Sequence, residues 1–181
     1  IITSIGNITH RKNQMLILKT IAKFKKMNLL ENYRFVFIGS TSDDVGYYSD
    51  ICKFVNKNNI SNYCFFIGNC SKSIVYGFLQ KSFAVVISSF SEGFPLVIPE
   101  AFKEKTPVIT TKVGGIGDVI INEFNGLFIK NSSSDLCDKI LMLNDDKLRS
   151  NIIANANESY IKYFNLEENM EKFKKYVKES I

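Results

Sequence analysis

Six short apolar runs alternate along this chain with stretches of helical period, and that alternation constrains the fold more than any other feature. The runs cover residues 1–5, 33–38, 63–67, 83–87, 107–110 and 127–129. Most are rich in Ile, Val and Phe, residues that suit a pleated, packed surface. The fourth, Phe83-Ala84-Val85-Val86-Ile87, is apolar throughout, as a strand covered on both faces should be. Between the runs, Met15, Leu18, Ile21, Ala22 and Leu29 recur near helical spacing behind Asn13, which predicts an N-cap at that asparagine. Residues 44–58 read as a second helix with Ile51, Cys52 and Val55 inward, 73–80 as a third and 99–105 as a fourth. From Ser132 onward only helices are expected, and the last, Leu166–Glu179, carries Met170, Phe173, Tyr176 and Val177 on one stripe.

Strands alternating with helices predict an α/β domain: a doubly wound, Rossmann-like six-stranded parallel sheet with helices on both faces. In such a sheet, ligands bind at the carboxyl ends of the strands, near the point where strand order reverses. The loops of interest are therefore 6–12, 39–43, 68–71, 88–95 and 111–115. Pattern alone goes no further than a nucleotide-binding type of fold. A flavodoxin-like signalling domain is disfavoured, because the first loop lacks the cluster of Asp that would accept a phosphoryl group.

Composition closes off several classes. A chain of 181 residues suits one domain, and can bury roughly 70% of its unfolded surface without covalent staples. Its 45% apolar and 23% charged residues are ordinary for a soluble protein. Lys plus Arg exceeds Asp plus Glu, 23 against 18, for a net charge of +5. The lysines are spread along helices, for example Lys19, Lys23, Lys25, Lys26, Lys174 and Lys175. Solvated helix faces explain them better than a nucleic acid, so no nucleic-acid partner is expected. A peripheral contact of the full-length protein with anionic lipid on the inner face of the membrane stays open. Cys52, Cys64, Cys70 and Cys137 form no CxxC, and the single histidine, His10, is remote from them in sequence, so no metal site is expected. Reduced, mostly buried thiols point to a cytoplasmic location. No apolar run approaches the ~20 residues of a spanning helix, and no signal peptide is recognised. The chain opens without Met on a strand-like run, which reads as a fragment boundary.

The densest chemical signal is Ser91-Glu92-Gly93-Phe94-Pro95-Leu96-Val97-Ile98-Pro99-Glu100-Ala101. Glu92 falls in the loop after the fourth strand, and Glu100 about one turn into the next helix. Both would face the carboxyl edge of the sheet, across a helix N-terminus with free amides and a partial positive charge. Amides there can meet phosphate or sugar oxygens, and each carboxylate can accept from a pair of hydroxyls. Spacing alone fits equally well a first-turn acid favoured by the helix dipole and an ordinary loop acid. Arg11 and Lys12 in the first loop could stabilise a departing diphosphate, whose charge grows in the transition state, or could be solvated loop cations. His10 reads as polar surface rather than a base. Cys70, Tyr47 and Tyr48 read as packing or rim residues.

That string, followed by TPVITTKVGGIGDVI and NGLFI, resembles family 4 of the retaining glycosyltransferases, which have the GT-B fold. Gly6-Asn7, Arg11-Lys12-Asn13, Phe66-Ile67-Gly68 and Ala84-Val85-Val86-Ile87 extend the resemblance over nearly the whole chain, in order. It implies that residues 1–181 form the nucleotide-sugar-binding C-terminal domain, without the N-terminal domain that holds the acceptor. It further implies that Glu100 binds the ribose hydroxyls, that Glu92 sits by hydroxyls of the donor sugar and that Lys12 pairs with the diphosphate. Gly6, Asn7 and Arg11 would belong to the same first-loop site. Gly93, Phe94, Leu96 and Val97 would line the sugar and phosphate pocket, with Ile67 and Gly68 beside the base. The implied donor is a UDP-, GDP- or ADP-sugar, UDP favoured, used without a metal or other cofactor. The implied reaction is transfer with retention by a front-face route, in cell-surface polysaccharide or glycolipid synthesis. A fragment lacking the other domain would bind donor but catalyse little.

Four positions depart from the family. Asn7 stands where many members carry Arg, so one diphosphate contact is missing unless Arg11 supplies it. Pro95 cannot donate an N–H. Gly117 and Asp118 replace a common Pro and Glu. Two other readings stay open on sequence: a non-catalytic nucleotide-sugar-binding module, and a sugar-phosphate synthase or epimerase of similar architecture.

Overall fold

A computed structural model describes residues 1–179. Its elements are β1 (Ile2–Ile5), α1 (Gln14–Lys26), β2 (Phe35–Ile38), α2 (Val45–Lys57), β3 (Cys64–Phe66), α3 (Lys72–Lys81), β4 (Ala84–Ile87), α4 (Val97–Lys103), β5 (Val108–Thr111) and β6 (Leu127–Ile129), then α5 (Ser133–Met142), α6 (Asp146–Phe164) and α7 (Leu166–Glu179). The strands form one sheet in the order β3-β2-β1-β4-β5-β6. Every pairing is parallel. Strand order therefore reverses between β1 and β4, which puts the switch point where the loops after those two strands meet.

Period-two alternation in the strands feeds two separate cores. Ile2, Phe35, Phe37, Ala84, Val86, Ile109 and Leu127 point to one face, where they meet Leu18, Ile21 and Phe24 of α1, Ile51 of α2 and Leu136 and Ile140 of α5. Val85, Ile87 and Val108 point to the other, against Leu79 of α3 and Ile98, Ala101 and Phe102 of α4. Each large side chain buried here contributes roughly 1.5–3 kcal/mol. α6 belongs to both cores, giving Ile152 to the first and Ala156 to the second. The predicted doubly wound sheet is thus present, with all six strands.

Element ends differ from the sequence reading for identifiable reasons. Asn13 precedes α1 in a left-handed conformation (φ 53°) and does not cap it with its side chain. Its Nδ2 instead donates to the Ser88 carbonyl (3.2 Å) and to Asn131 Oδ1 (3.0 Å). The cap comes from a distant residue: the Tyr47 hydroxyl accepts from the Met15 amide at 2.8 Å. α1 stops at Lys26, and Leu29 packs on the first core from beyond the helix. Asp44 caps α2 by accepting from the Tyr47 amide at 3.1 Å. Cys52 is only half-buried on that helix. α4 starts at Val97, two residues before Pro99, because a proline in the first turn lacks an N–H that would have no helical partner anyway. β3 is an edge strand of three residues, so Phe65 is exposed and Ile67 lies past its end.

Cys64 and Cys137 are buried, Cys52 and Cys70 half-buried, and all four are free thiols. Among the described residues no helix is long and apolar enough to cross a membrane. Met170, Phe173, Tyr176 and Val177 of α7 are all exposed.

Candidate active site

The carboxyl edge at the switch point is organised around Glu92. The loop after β4 carries this carboxylate inward until its side chain is 7% exposed. There it meets the loop after β1. Lys12 Nζ donates to Oε1 at 2.6 Å, and Arg11 Nη1 donates to Oε2 at 3.0 Å. Ser89 Oγ donates to Oε1 at 2.5 Å. The backbones are joined as well: Arg11 Nη1 reaches the Ser91 carbonyl (2.9 Å), and the Phe90 amide donates to the Arg11 carbonyl (2.9 Å).

The electrostatics follow from this geometry. Burial alone pushes the Glu92 carboxyl up, but hydrogen bonds from Lys12, Ser89 and Arg11, with the Lys12 charge, outweigh burial and hold it below its ordinary range. Glu92 is therefore an anion at neutral pH. Two cations against one carboxylate leave the cluster with a net positive charge, open to an anionic group. Three of the roughly four lone-pair sites of the carboxylate are taken, which leaves acceptor capacity for a hydroxyl.

Two glycines make the arrangement possible. Gly114, at φ +53°, lies so close to the loop after β4 that a Cβ there would collide with the Glu92 carbonyl oxygen. The Gly115 amide donates to the Gly93 carbonyl at 2.8 Å. Gly6 has φ +139°, and a Cβ there would stand 3.2 Å from Lys12 Cε. A side chain at position 6 would press on the lysine that reaches Glu92.

Glu100 has a different environment. It is half-buried in α4, and its carboxylate makes no hydrogen bond or ion pair with any described residue. Burial pushes its pKa up, and the charge of Lys72, at the start of α3, offsets part of the effect. Between the two glutamates, the amides of Gly93, Phe94, Leu96 and Val97 donate to no described residue. Gly93 is exposed, with nothing within 4 Å of where a Cβ would be. Phe94 is held by a stack on Phe164 of α6, ring centroids 5.7 Å apart. The Leu96 side chain is exposed, whereas that of Val97 is buried in the second core, so Val97 can offer a ligand only its backbone.

The remaining candidates fall nearby or serve the scaffold. Ile67 is exposed past β3, and the Gly68 carbonyl accepts from the Gly39 amide at 2.9 Å. Asn7 does not stand free in the first loop. Its Nδ2 donates to Asp43 (2.5 Å) and its Oδ1 accepts from the Ser40 amide (3.3 Å), tying the loops after β1 and β2 together. Arg11, the expected substitute for an arginine at position 7, is engaged by Glu92 and Ser91. His10 is exposed at the rim, its ring 5.3 Å from that of Phe90 and 5.9 Å from that of Tyr47. Sequence reading missed Ser89, Asp43 and Lys72. Ser89 stands three residues before Glu92, the one local hint; the other two are placed only by tertiary structure. Among the described residues, no group of three or more His, Cys, Asp or Glu is placed to hold a metal ion.

The sheet order defines a Rossmann-like α/β domain of the GT-B kind. The chain belongs to the glycosyl transferases group 1 family, whose profile matches residues 1–159. It is 38% identical over 129 residues to an uncharacterized glycosyltransferase of Methanocaldococcus jannaschii, covering 70% of this chain and 35% of that protein. It is 29% identical over 157 residues to a Campylobacter jejuni alpha-1,4-N-acetyl-D-galactosaminyltransferase named for a diphospho-undecaprenol-linked sugar, covering 85% of this chain and 41% of that protein. The chain thus spans about two fifths of the length of these relatives. Among solved structures, it is similar to Anabaena HepE in complex with UDP-glucose, with a TM-score of 0.86 at 17% identity, covering 98% of this chain and 48% of that one. It is also similar to the C-terminal domain of a group 1 glycosyl transferase, LpcC, from Francisella tularensis. That match has a TM-score of 0.80 at 27% identity and covers 91% of this chain and 86% of that one.

Proposed function

We propose that residues 1–181 are the donor-binding half of a two-domain glycosyltransferase. Its N-terminal domain would hold the acceptor, and the whole enzyme would transfer a sugar from a nucleoside diphosphate with retention of configuration. The observation that carries this reading is the pairing of two cations, Lys12 and Arg11, with one ionised glutamate at the switch point, with a second glutamate on the following helix that has no hydrogen-bond or ion-pair partner among the described residues. In this reading the net positive cluster receives the diphosphate. Its charge rises as the glycosidic bond breaks, so Lys12 and Arg11 favour the transition state over the ground state. The free amides of Gly93, Phe94, Leu96 and Val97 meet phosphate and sugar oxygens, and Glu100 accepts from the two ribose hydroxyls, regaining the hydrogen bonds that burial denies it.

Glu92 is assigned to positioning a sugar hydroxyl. A carboxylate held by three donors is a poor nucleophile, which supports a front-face route, with the departing phosphate helping to deprotonate the acceptor, over a covalent intermediate. A trapped glycosyl–Glu92 adduct would contradict that route. UDP is the favoured nucleotide, in line with the UDP-glucose bound by the Anabaena structure. The relative named for a diphospho-undecaprenol-linked sugar favours a glycolipid or surface-polysaccharide product.

Calorimetric titration of this chain with UDP, GDP and ADP, with and without EDTA, tests the reading. The expected result is saturable binding of one nucleotide, UDP first, unchanged by EDTA and lost in Glu100→Ala. No binding to a chain shown to be folded, repeated with the full-length protein, would overturn it.

A further inference from the structure

One set of cations stands apart from the donor edge. Lys19, Lys23 and Lys26 occupy i, i+4 and i+7 of α1 and so share one face of the helix, over about 10 Å. They line an open groove of about 430 Å³ together with Phe54 of α2, Asn58 just past it and Ser133 of α5. Lys19 and Ser133 also border a neighbouring hollow of about 330 Å³ that reaches Asn13 and Phe90. The two adjoin at Lys19 and Ser133, and are taken together as a trough from the loop after β4 along α1.

No carboxylate lines this trough, and α1 carries none. Among the described residues Lys23 donates to the neutral Ser134 hydroxyl alone, at 2.6 Å. Lys19 and Lys26 make no hydrogen bond or ion pair with any described residue. Of the acids on the flanking helices, Asp50 pairs with Lys53 and Asp135 accepts from the Lys130 amide, while Asp138 of α5 is exposed and, like Lys23, acts on the Cys137 thiol. Lys23 and Lys26 fall in the last turn, where the helix dipole favours cations; Lys19 lies a turn before them, where a like charge at i, i+4 disfavours the helix. Met27, just past the last lysine, is 45% exposed. Cations bordered by an exposed apolar side chain match the boundary between headgroups and acyl chains better than they match a soluble anion.

We propose that this trough docks the protein on an anionic phospholipid surface, with Lys19, Lys23 and Lys26 on headgroup phosphates and Met27 at the acyl boundary. The upper end of the trough is Phe90, whose amide is bonded to the Arg11 carbonyl. A membrane held there lies beside the donor edge.

The test is co-sedimentation with vesicles of phosphatidylcholine alone and of phosphatidylcholine mixed equally with phosphatidylglycerol. The wild type is compared with Lys19→Gln/Lys23→Gln/Lys26→Gln and with a charge-matched control, Lys81→Gln/Lys174→Gln/Lys175→Gln. Melting curves establish that both triples fold, and the single variant Lys26→Gln serves if the first does not. The wild type should bind only the anionic vesicles and be released by about 0.5 M salt. Each trough lysine should be worth about fivefold in affinity, so the trough triple should lose about a hundredfold while the control binds as the wild type. Absence of wild-type binding to anionic vesicles, or equal loss in both triples, would overturn the proposal. Binding of inorganic phosphate at the trough without vesicle binding would overturn it too, in favour of a free-anion site.

Discussion

Replacing Glu100 by glutamine should stabilise the protein and weaken nucleotide binding in the same variant. The Glu100 carboxylate is half-buried without a partner among the described residues, and burial pushes its pKa up against the pull of Lys72. Its ordinary unfolded value is about 4.3. A carboxyl whose folded pKa lies above the unfolded one leaves the fold unburdened below the unfolded value. It costs stability as pH rises through the folded value. Glutamine keeps the shape and removes the charge, so the gain is present at pH 7 and absent near pH 3. A first-turn acid also gains about 0.3–1 kcal/mol from the helix dipole, which limits the net benefit to about 0.5–1 kcal/mol. Unfolding entropy for 181 residues is about 0.4 kcal/mol/K, so Tm should rise about 1–3 °C at pH 7. Loss of charge-assisted hydrogen bonds to the ribose, about 1.5–3 kcal/mol, should weaken UDP about 10- to 150-fold. Scanning calorimetry at the two pH values and a UDP titration measure both. A fall in Tm at pH 7 would refute the reasoning, because it would mean that the carboxylate is satisfied in the folded protein. A rise with undiminished affinity would remove Glu100 from the ribose site.

Three further outcomes follow from neighbouring residues. Glu92→Gln should act in the opposite direction: a carboxyl held below its ordinary range stabilises the fold above the unfolded pKa and ceases to as pH falls through the folded one. With the Arg11 share screened by solvent, the loss should be about 1–2 kcal/mol at pH 7, and urea unfolding should show it shrinking in acid. Gly114→Ala should cost about 2–4 kcal/mol and lower Tm by about 5–10 °C, because the collision with the Glu92 carbonyl forces two loops apart; donor affinity, read by titration, should fall with it. Burial pushes the Cys64 thiol up to about 12, so thiol labelling at pH 7.5 followed by mass spectrometry should find Cys52 and Cys70 modified first and Cys64 only on unfolding.

The sheet could be read from the sequence because its strands are covered on both faces: Val85, Val86 and Ile87 have no solvent side, so their apolar run is unbroken. Ends were less legible. Asn13 looks like a helix cap by type, yet its left-handed backbone sends the amide to Ser88 and Asn131, 75 and 118 residues away in sequence. Glu92 and Glu100 stand out in the sequence by their spacing, and Lys12 by its loop. That Lys12 and Glu92 touch was not legible, since the contact joins residues 80 apart through the parallel pairing of β1 with β4. Nor could spacing separate the glutamates, one ionised and paired with two cations, the other without a partner among the described residues: that difference arises from which loops fold over each.

β1 lies mid-sheet, with Ile2 paired to Phe35 on one side and to Ala84 on the other. On the ribosome Ala84, its second partner, is made 82 residues after Ile2. At 5–20 residues per second, that edge of β1 waits roughly 4–16 s for its neighbour. The nascent chain therefore cannot close its sheet early, and Lys12 and Glu92 are joined only after β4 has left the exit tunnel. Slower decoding of the stretch between α2 and β4 would lengthen the interval in which an apolar strand edge is open to other chains.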